Sequence, residues 1–351
     1  MDSMTYPSVK FWAGKKVLVT GFNGFKGSWL TFWLKEMGAD VMGITNDSLE
    51  NTFISNIARE SIPNYFDLDI ASDSLSPAIS SFNPTIVFHL AAQPLVYVGI
   101  QDPVRTYETN VGGSLNLLSS INHSSSVQTC IFVTTDKVYG PTELGDSRVE
   151  SDELRGLDPY SSSKVLSEKI LAATHFRSDL KIASVRSGNV VGGGDVSKTR
   201  LVPEIYQSFA NREILRIRDM NGVRPWLHVL DTLCGYILLA ENLEKSGEQK
   251  IAMNFAPALT DHVSVKKIIG LADFYFDLGN VEELSESGFK ESPKLVLNAE
   301  KANKLLGWRP KWDWEESFSY TFEWYKDFNN SNDAYELMKR DLIRYLRFSS
   351  K

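Results

Sequence analysis

The sequence predicts an α/β protein: a doubly wound parallel sheet through the first half, with a smaller lobe behind it. Three observations point there. Short β-branched runs alternate with amphipathic helical stretches over about residues 11 to 190. A glycine-rich string, TGFNGFKG, stands between the first such run and the first helix. The rhythm then breaks at the triplet Gly192, Gly193, Gly194.

Strands are expected at Lys16–Thr20, Asp40–Thr45, Asn64–Leu68, Thr85–Leu90, Thr129–Thr134 and Lys181–Arg186, most of them carrying β-branched residues. Helices are expected between them at about Lys26–Met37, Ser74–Phe82, Pro103–Asn122 and Pro159–His175, each apolar along one side at the 3.6-residue period. Beyond the triplet come a helix (Leu201–Ala210), a strand (Leu215–Arg218), a helix entered at His228 and a strand (Ile251–Phe255). This half cannot finish a regular parallel sheet by itself. Residues 11–190 are therefore expected to form mainly the sheet domain, 191–330 mainly the smaller lobe across the strand ends, and 331–351 a helical tail that packs on the body or mediates assembly. The crevice between the lobes is the expected site.

Composition narrows the function. The chain has 351 residues, 42% hydrophobic and 23% charged, which is a globular composition and excludes fibrous or disordered classes. Lys plus Arg (37) against Asp plus Glu (44) gives a net charge of −7, so no basic field is available for a nucleic-acid partner. Cys130 and Cys234 each sit in an apolar segment, as buried free thiols do. MDSMTYPSVKFWAGKK has no apolar leader and no apolar run reaches membrane-spanning length, so a cytoplasmic location away from membranes is expected. The five histidines show no metal-ligand spacing, and no metal is expected.

Gly21, Gly24 and Gly27 follow a strand and open a helix. Glycines there permit a tight turn and let backbone N–H groups reach a pyrophosphate, whose charge the helix N-terminus favours. The spacing is G-x-x-G-x-x-G, with Asn23 and Phe25 inside the loop. Asp47, at the end of the second strand, stands where an acid meets the adenosine ribose diol, which favours NAD over NADP. Asp69 and Ile70 after the third strand are expected to flank the adenine, and Ala91 after the fourth to line the cofactor.

The fifth strand ends Thr134-Thr135-Asp136-Lys137, and a Y-S-S-S-K segment runs from Tyr160 to Lys164. On a helix Tyr160 and Lys164 share a face. The ammonium is then expected to lower the phenol pKa and hold the cofactor ribose, so that tyrosinate removes a hydroxyl proton while hydride leaves the same carbon. Thr135 is expected to share the hydrogen bond to that hydroxyl, and Gln93, just past a strand end, to meet the substrate.

With TGFNGFKG, FHLAAQP, TTDKVYG, DPYSSSK, VRSGNVVGGGD, RPWLHVLD, NFAP and LLGWRP, the chain resembles the extended short-chain dehydrogenase/reductases, and among them the nucleotide-sugar 4,6-dehydratases, nearest to the CDP-glucose branch. The resemblance implies a Rossmann-type fold and C4 oxidation on bound NAD, water loss between C5 and C6, and hydride return to C6. In it Asp136 protonates the departing 6-hydroxyl, and Lys137 stands where many such dehydratases carry a Glu base. It acts as a base if burial depresses its pKa, or as a charged stabiliser of the enolate. The resemblance further implies that Arg224 grips the substrate diphosphate, with Arg200 and Arg218 as further candidates, and that Asn189 donates to phosphate or sugar. It implies a homodimer or homotetramer built through the helices Pro103–Asn122 and Pro159–His175. After AAQPLV the family carries a basic stretch where this chain reads Tyr97-Val98-Gly99-Ile100. A 4-epimerase would share Thr135, Tyr160 and Lys164 without needing Asp136 and Lys137; a non-catalytic NAD-sensing module would need neither Tyr160 nor Lys164.

Overall fold

The computed structural model describes residues 4–46, 53–61, 65–140, 147–197, 199–261, 263–284, 295–331 and 333–347. Strands β1 (Lys16–Thr20), β2 (Asp40–Thr45), β3 (Tyr65–Asp67), β4 (Ile86–His89), β5 (Thr129–Val133), β6 (Lys181–Ser187) and β7 (Lys250–Phe255) form one sheet of seven in the order β7-β6-β5-β4-β1-β2-β3. Every pairing is parallel. The first six lie within a residue or so of the expected runs. The seventh comes from the C-terminal half, which supplies a full edge strand, with Lys250 opposite Ile182 and Phe255 opposite Ser187.

Alternation along each strand explains why the sheet is buried on both faces. Val17, Val19, Phe88, Ile131, Val133 and Val185 face one core, against helices α1 (Phe25–Glu36) and, later in the chain, Val229–Lys245. Leu18, Val87, Cys130, Phe132 and Ile182 face the other, under α2 (Leu75–Phe82), α3 (Gly113–His123) and α4 (Pro159–Ala173). Cys130 and Cys234 are buried free thiols. The helix expected as one piece from Pro103 to Asn122 is interrupted: Pro103–Tyr107 runs into a π-turn, Glu108–Gly112, before α3 begins.

The lobe holds small paired strands. Asn189–Val191 lies parallel to Trp226–His228, Leu215–Ile217 to Val281–Glu283, and Val223–Arg224 runs antiparallel to Val263–Ser264. α5 (Val229–Lys245) returns from it to the sheet. The tail packs as a last helix, α7 (Ala334–Leu346), on α6 (Trp314–Ser331), burying Met338, Leu342 and Tyr345. Among the described residues no helix is long and apolar enough to cross a membrane.

Candidate active site

The strand order reverses between β1 and β4, and the glycine loop sits there, at the carboxyl ends where such sheets bind ligands. Gly21 adopts φ +67°, and a Cβ on it would come within 2.8 Å of the Ala91 backbone, so the loops leaving β1 and β4 touch only because this residue has no side chain. A Cβ on Gly27 would stand 2.0 Å from the Gly21 carbonyl, so that glycine lets α1 start directly on the loop. Gly24 is the N-cap of α1, with no side-chain cap and only the Gly21 carbonyl near its missing Cβ. Asn23 is 3% exposed, and among the described residues neither polar atom of its amide has a partner. A buried orphan amide beside an uncapped helix N-terminus fits a dinucleotide pyrophosphate. When bound there, NAD would be held by Gly21, Asn23, Gly24 and Gly27.

Other expected cofactor contacts are divided. Ala91 abuts Gly21, and its N–H donates to Thr20 Oγ1 at 3.2 Å. Phe25 turns its ring toward Gly192. Asp69 is exposed and lines an open depression of about 670 Å³ with Asp102, Arg105 and Glu108. Ile70 is buried against Gly113 of α3, so its side chain is committed to packing. Asp47 lies outside the described residues.

The structure brings the catalytic candidates together. Thr135 caps a short 3₁₀ turn, Asp136–Tyr139, and its hydroxyl donates to Asp136 Oδ1 at 3.1 Å. Asp136 is 8% exposed, with Oδ2 lying 3.1 Å from where a Gly188 side chain would begin, so the glycine makes room for the carboxylate. Asp158 caps α4 through a capping box with Ser161, which places Tyr160 in the first turn and Lys164 one turn on. Lys164 Nζ donates to the Val133 carbonyl at 3.2 Å, tying α4 to the end of β5.

The expected electrostatics need one correction. Burial pushes the Tyr160 phenol up to about 12, and the groups that pull it back are Thr135, by hydrogen bond, and Arg200, by charge. Lys164 was the expected agent, but burial lowers its own pKa to about 8 against the pull of Glu168. Its ammonium is spent on the Val133 carbonyl rather than on the phenol.

Among the substrate candidates, Gln93 has its amide consumed internally. It donates to the Leu95 carbonyl and to Thr106 Oγ1, both at 3.0 Å, and accepts from the Leu95 N–H at 2.6 Å. It shapes the wall, instead of presenting a free amide to a sugar. Gly99 in the helix Val96–Gln101 lies against Tyr160, where a Cβ would meet the Tyr160 backbone nitrogen at 3.2 Å. Asn189 follows Gly188 directly, and Pro225, next to Arg224, packs on that glycine. Arg200 pairs with Asp195 at 2.9 Å and reaches Tyr160 with its charge. Arg218 is exposed and donates to the Thr199 carbonyl at 2.9 Å, which leaves it at the rim.

Three groups at the site were not singled out from sequence. Asn110, in the π-turn, donates to the Gln93 carbonyl and to Ser163 Oγ, pinning the wall loop to α4. Glu168 continues the Tyr160, Lys164 face by one more turn and binds Arg186 Nε at 2.8 Å; the i, i+4, i+8 spacing was the available signal. Lys26, between Phe25 and Gly27, projects among Arg200, Lys164, Asp136 and Asp195.

A glycine loop at the reversal of a doubly wound sheet, with Tyr-x-x-x-Lys at its carboxyl edge, defines an NAD-dependent enzyme of the short-chain dehydrogenase/reductase type. The chain belongs to the NAD dependent epimerase/dehydratase family, which matches residues 17–255. It is 36% identical to a CDP-glucose 4,6-dehydratase of Salmonella typhimurium over 97% of this chain and 99% of that protein. It is 25% identical to a UDP-glucose 4-epimerase of Mycoplasma genitalium, over 92% and 99% of the two chains. Among solved structures it is similar to the Thermotoga maritima UDP-glucose 4-epimerase with UDP-glucose, with a TM-score of 0.77 and 26% identity over 90% of this chain and 99% of that one. The Thermus thermophilus UDP-glucose 4-epimerase complex with NAD gives 0.77 and 25%, over 89% and 99%.

Proposed function

We propose that the chain is a nucleotide-sugar 4,6-dehydratase acting on CDP-glucose, forming its 4-keto-6-deoxy derivative and water. The observation that carries this is the buried Asp136 carboxylate beside the Thr135, Tyr160 and Lys164 set. Epimerisation at C4 needs only oxidation and a turn of the ketone; expelling a hydroxyl needs an acid as well. The full-length similarity to a CDP-glucose 4,6-dehydratase supports the same reading.

Bound NAD supplies the hydride acceptor at C4 and the donor that later completes C6. Tyr160, as phenolate, takes the proton from the 4-hydroxyl, with Thr135 and Arg200 favouring that form. The resulting ketone acidifies the C5 proton. Lys137, half-buried on the 3₁₀ turn, either takes that proton or, as a cation, steadies the enolate and leaves the C5 proton to another base. Asp136 protonates the departing 6-hydroxyl, which leaves as water, and a proton returns to C5. The proton Tyr160 gained from O4 balances the one Asp136 gave, so no net proton is consumed. Arg224 and Asn189 hold the substrate diphosphate and sugar from the loop packed on Gly188.

The test is incubation with NAD and, separately, CDP-glucose, dTDP-glucose, UDP-glucose and GDP-mannose, followed by mass spectrometry in heavy water. Loss of one water from CDP-glucose with deuterium entering at C5 is the expected result; an isomer of unchanged mass would replace the reading with a 4-epimerase. We also propose that the enzyme is cytoplasmic and assembles as a dimer through the helices around residues 103–123 and α4, where Val104, Leu115 and Leu166 are exposed apolar side chains. Light scattering on a Leu115→Lys/Leu166→Lys double variant should then report a monomer.

A further inference from the structure

Lys26 occupies a place where burial, the helix dipole and two neighbouring cations all disfavour a positive charge. It stands in the first turn of α1, at the positive end of the helix dipole, with no acid in that turn. The charges facing it are Arg200 and Lys164, which oppose it, and Asp136 and Asp195, which favour it. Asp195 is already paired with Arg200 at 2.9 Å. Among the described residues Lys26 has no hydrogen-bond or ion-pair partner, and its ammonium lies 5.9 Å from the centroid of the Tyr236 ring. Three residues earlier, Asn23 is 3% exposed with both amide atoms unpartnered among the described residues. A cation and an amide left unsatisfied on one loop share one explanation, an anion that arrives from outside.

We propose that the side chain of Lys26 is a diphosphate-binding group, closing on the ligand from the loop itself and adding to the backbone N–H contacts there. Two diphosphates enter this cleft on the reading given above, that of the dinucleotide and that of the nucleotide sugar, and the inference rests on that reading. The chemistry is the same for either: an ammonium beside an uncapped helix start, without a counter-ion of its own because Asp195 serves Arg200. Burial and the two neighbouring cations lower the Lys26 pKa to about 7 without ligand. An arriving anion restores the charge, so binding near neutral pH draws a proton from solution.

The experiment is calorimetric titration of the full-length protein with ADP-ribose and with CDP, for the natural chain, Lys26→Met and Lys26→Arg, each in two buffers of different ionisation enthalpy at pH 7.5. Lys26→Met should weaken one of the two ligands by about 10- to 100-fold and abolish its proton uptake, while Lys26→Arg keeps most of the affinity. Loss confined to ADP-ribose identifies the cofactor's diphosphate, and loss confined to CDP the substrate's. The ligand-free melting temperature of Lys26→Met should stay level or rise, because a desolvated cation has been removed. Unchanged affinity for both ligands, or affinity lost only together with a lowered ligand-free melting temperature, would overturn the proposal. Failure of the natural chain to dehydrate any sugar would refute the assigned reaction and leave these binding results to be judged separately.

Discussion

Two clusters of buried ionisable side chains invite comparison, one around α4 and one at the start of α5. In the second, burial raises the Asp231 carboxyl to about 7, yet the group is well supplied. It accepts from the Lys311 N–H at 2.7 Å, the Tyr345 hydroxyl at 2.9 Å and the Trp312 N–H at 3.4 Å, and these bonds fasten the C-terminal segment to the body. In the first, burial displaces Tyr160 and Lys164 as well, with few bonds of their own, while Glu168 and Arg186 behind them are fully engaged. A displaced proton affinity therefore marks chemistry only where partners are missing and space is left for a ligand. Where the bonds are complete, the same displacement records a structural anchor.

The comparison breaks first at Tyr160. Tyr160→Phe should cut turnover about a thousandfold with little change in stability, read as product formation beside a thermal melt; an active variant would move α4 into the structural class. Next, Arg186→Met leaves Glu168 buried without its partner and should cost about 3–5 kcal/mol, measured as the urea midpoint. The Glu168→Leu/Arg186→Met pair should recover most of that stability, because no lone charge remains. Lys137→Ala sharpens the division within the site: reduced dinucleotide should still form on adding substrate, while deuterium incorporation at C5 falls about a hundredfold. If oxidation failed as badly as in Tyr160→Phe, elimination would not be the step Lys137 serves.

The smallest effect belongs to Asp231. Its folded pKa lies above its unfolded value of 3.8, so the folded state binds more protons between those values. Its contribution to stability is complete below about pH 4 and is lost as the pH rises through about 7. Asp231→Asn should flatten that slope without altering turnover at neutral pH, which a series of urea melts from pH 4 to 8 would show.

Much of this was legible in the residues. The glycine loop, six strands and the Tyr160, Lys164 face follow from local composition and spacing, which act over a few residues. Partner choice does not. Glu168 meets Arg186 and Gln93 meets Thr106 only because strands and helices distant in sequence converge, and no period records that. Gln93 was expected to offer its amide to a sugar, whereas three internal bonds occupy it. Lys26 hid inside a motif read for its glycines. The place of β7 was hidden for a different reason: alternation shows that a segment is a strand, but not which edge it joins.

That edge bears on how the chain is made. β6 stays unpaired on one side until residues 250–255 arrive, so throughout synthesis of the intervening lobe an apolar strand carrying Ile182, Ala183 and Val185 stands open. An incomplete product ending in that interval exposes a template for pairing with its neighbours, and a nascent chain passing through it is at its most vulnerable to aggregation. The lobe inserted there thus sets the length of a dangerous window during translation, and a version severed after β6 would be expected to precipitate instead of folding as a smaller domain.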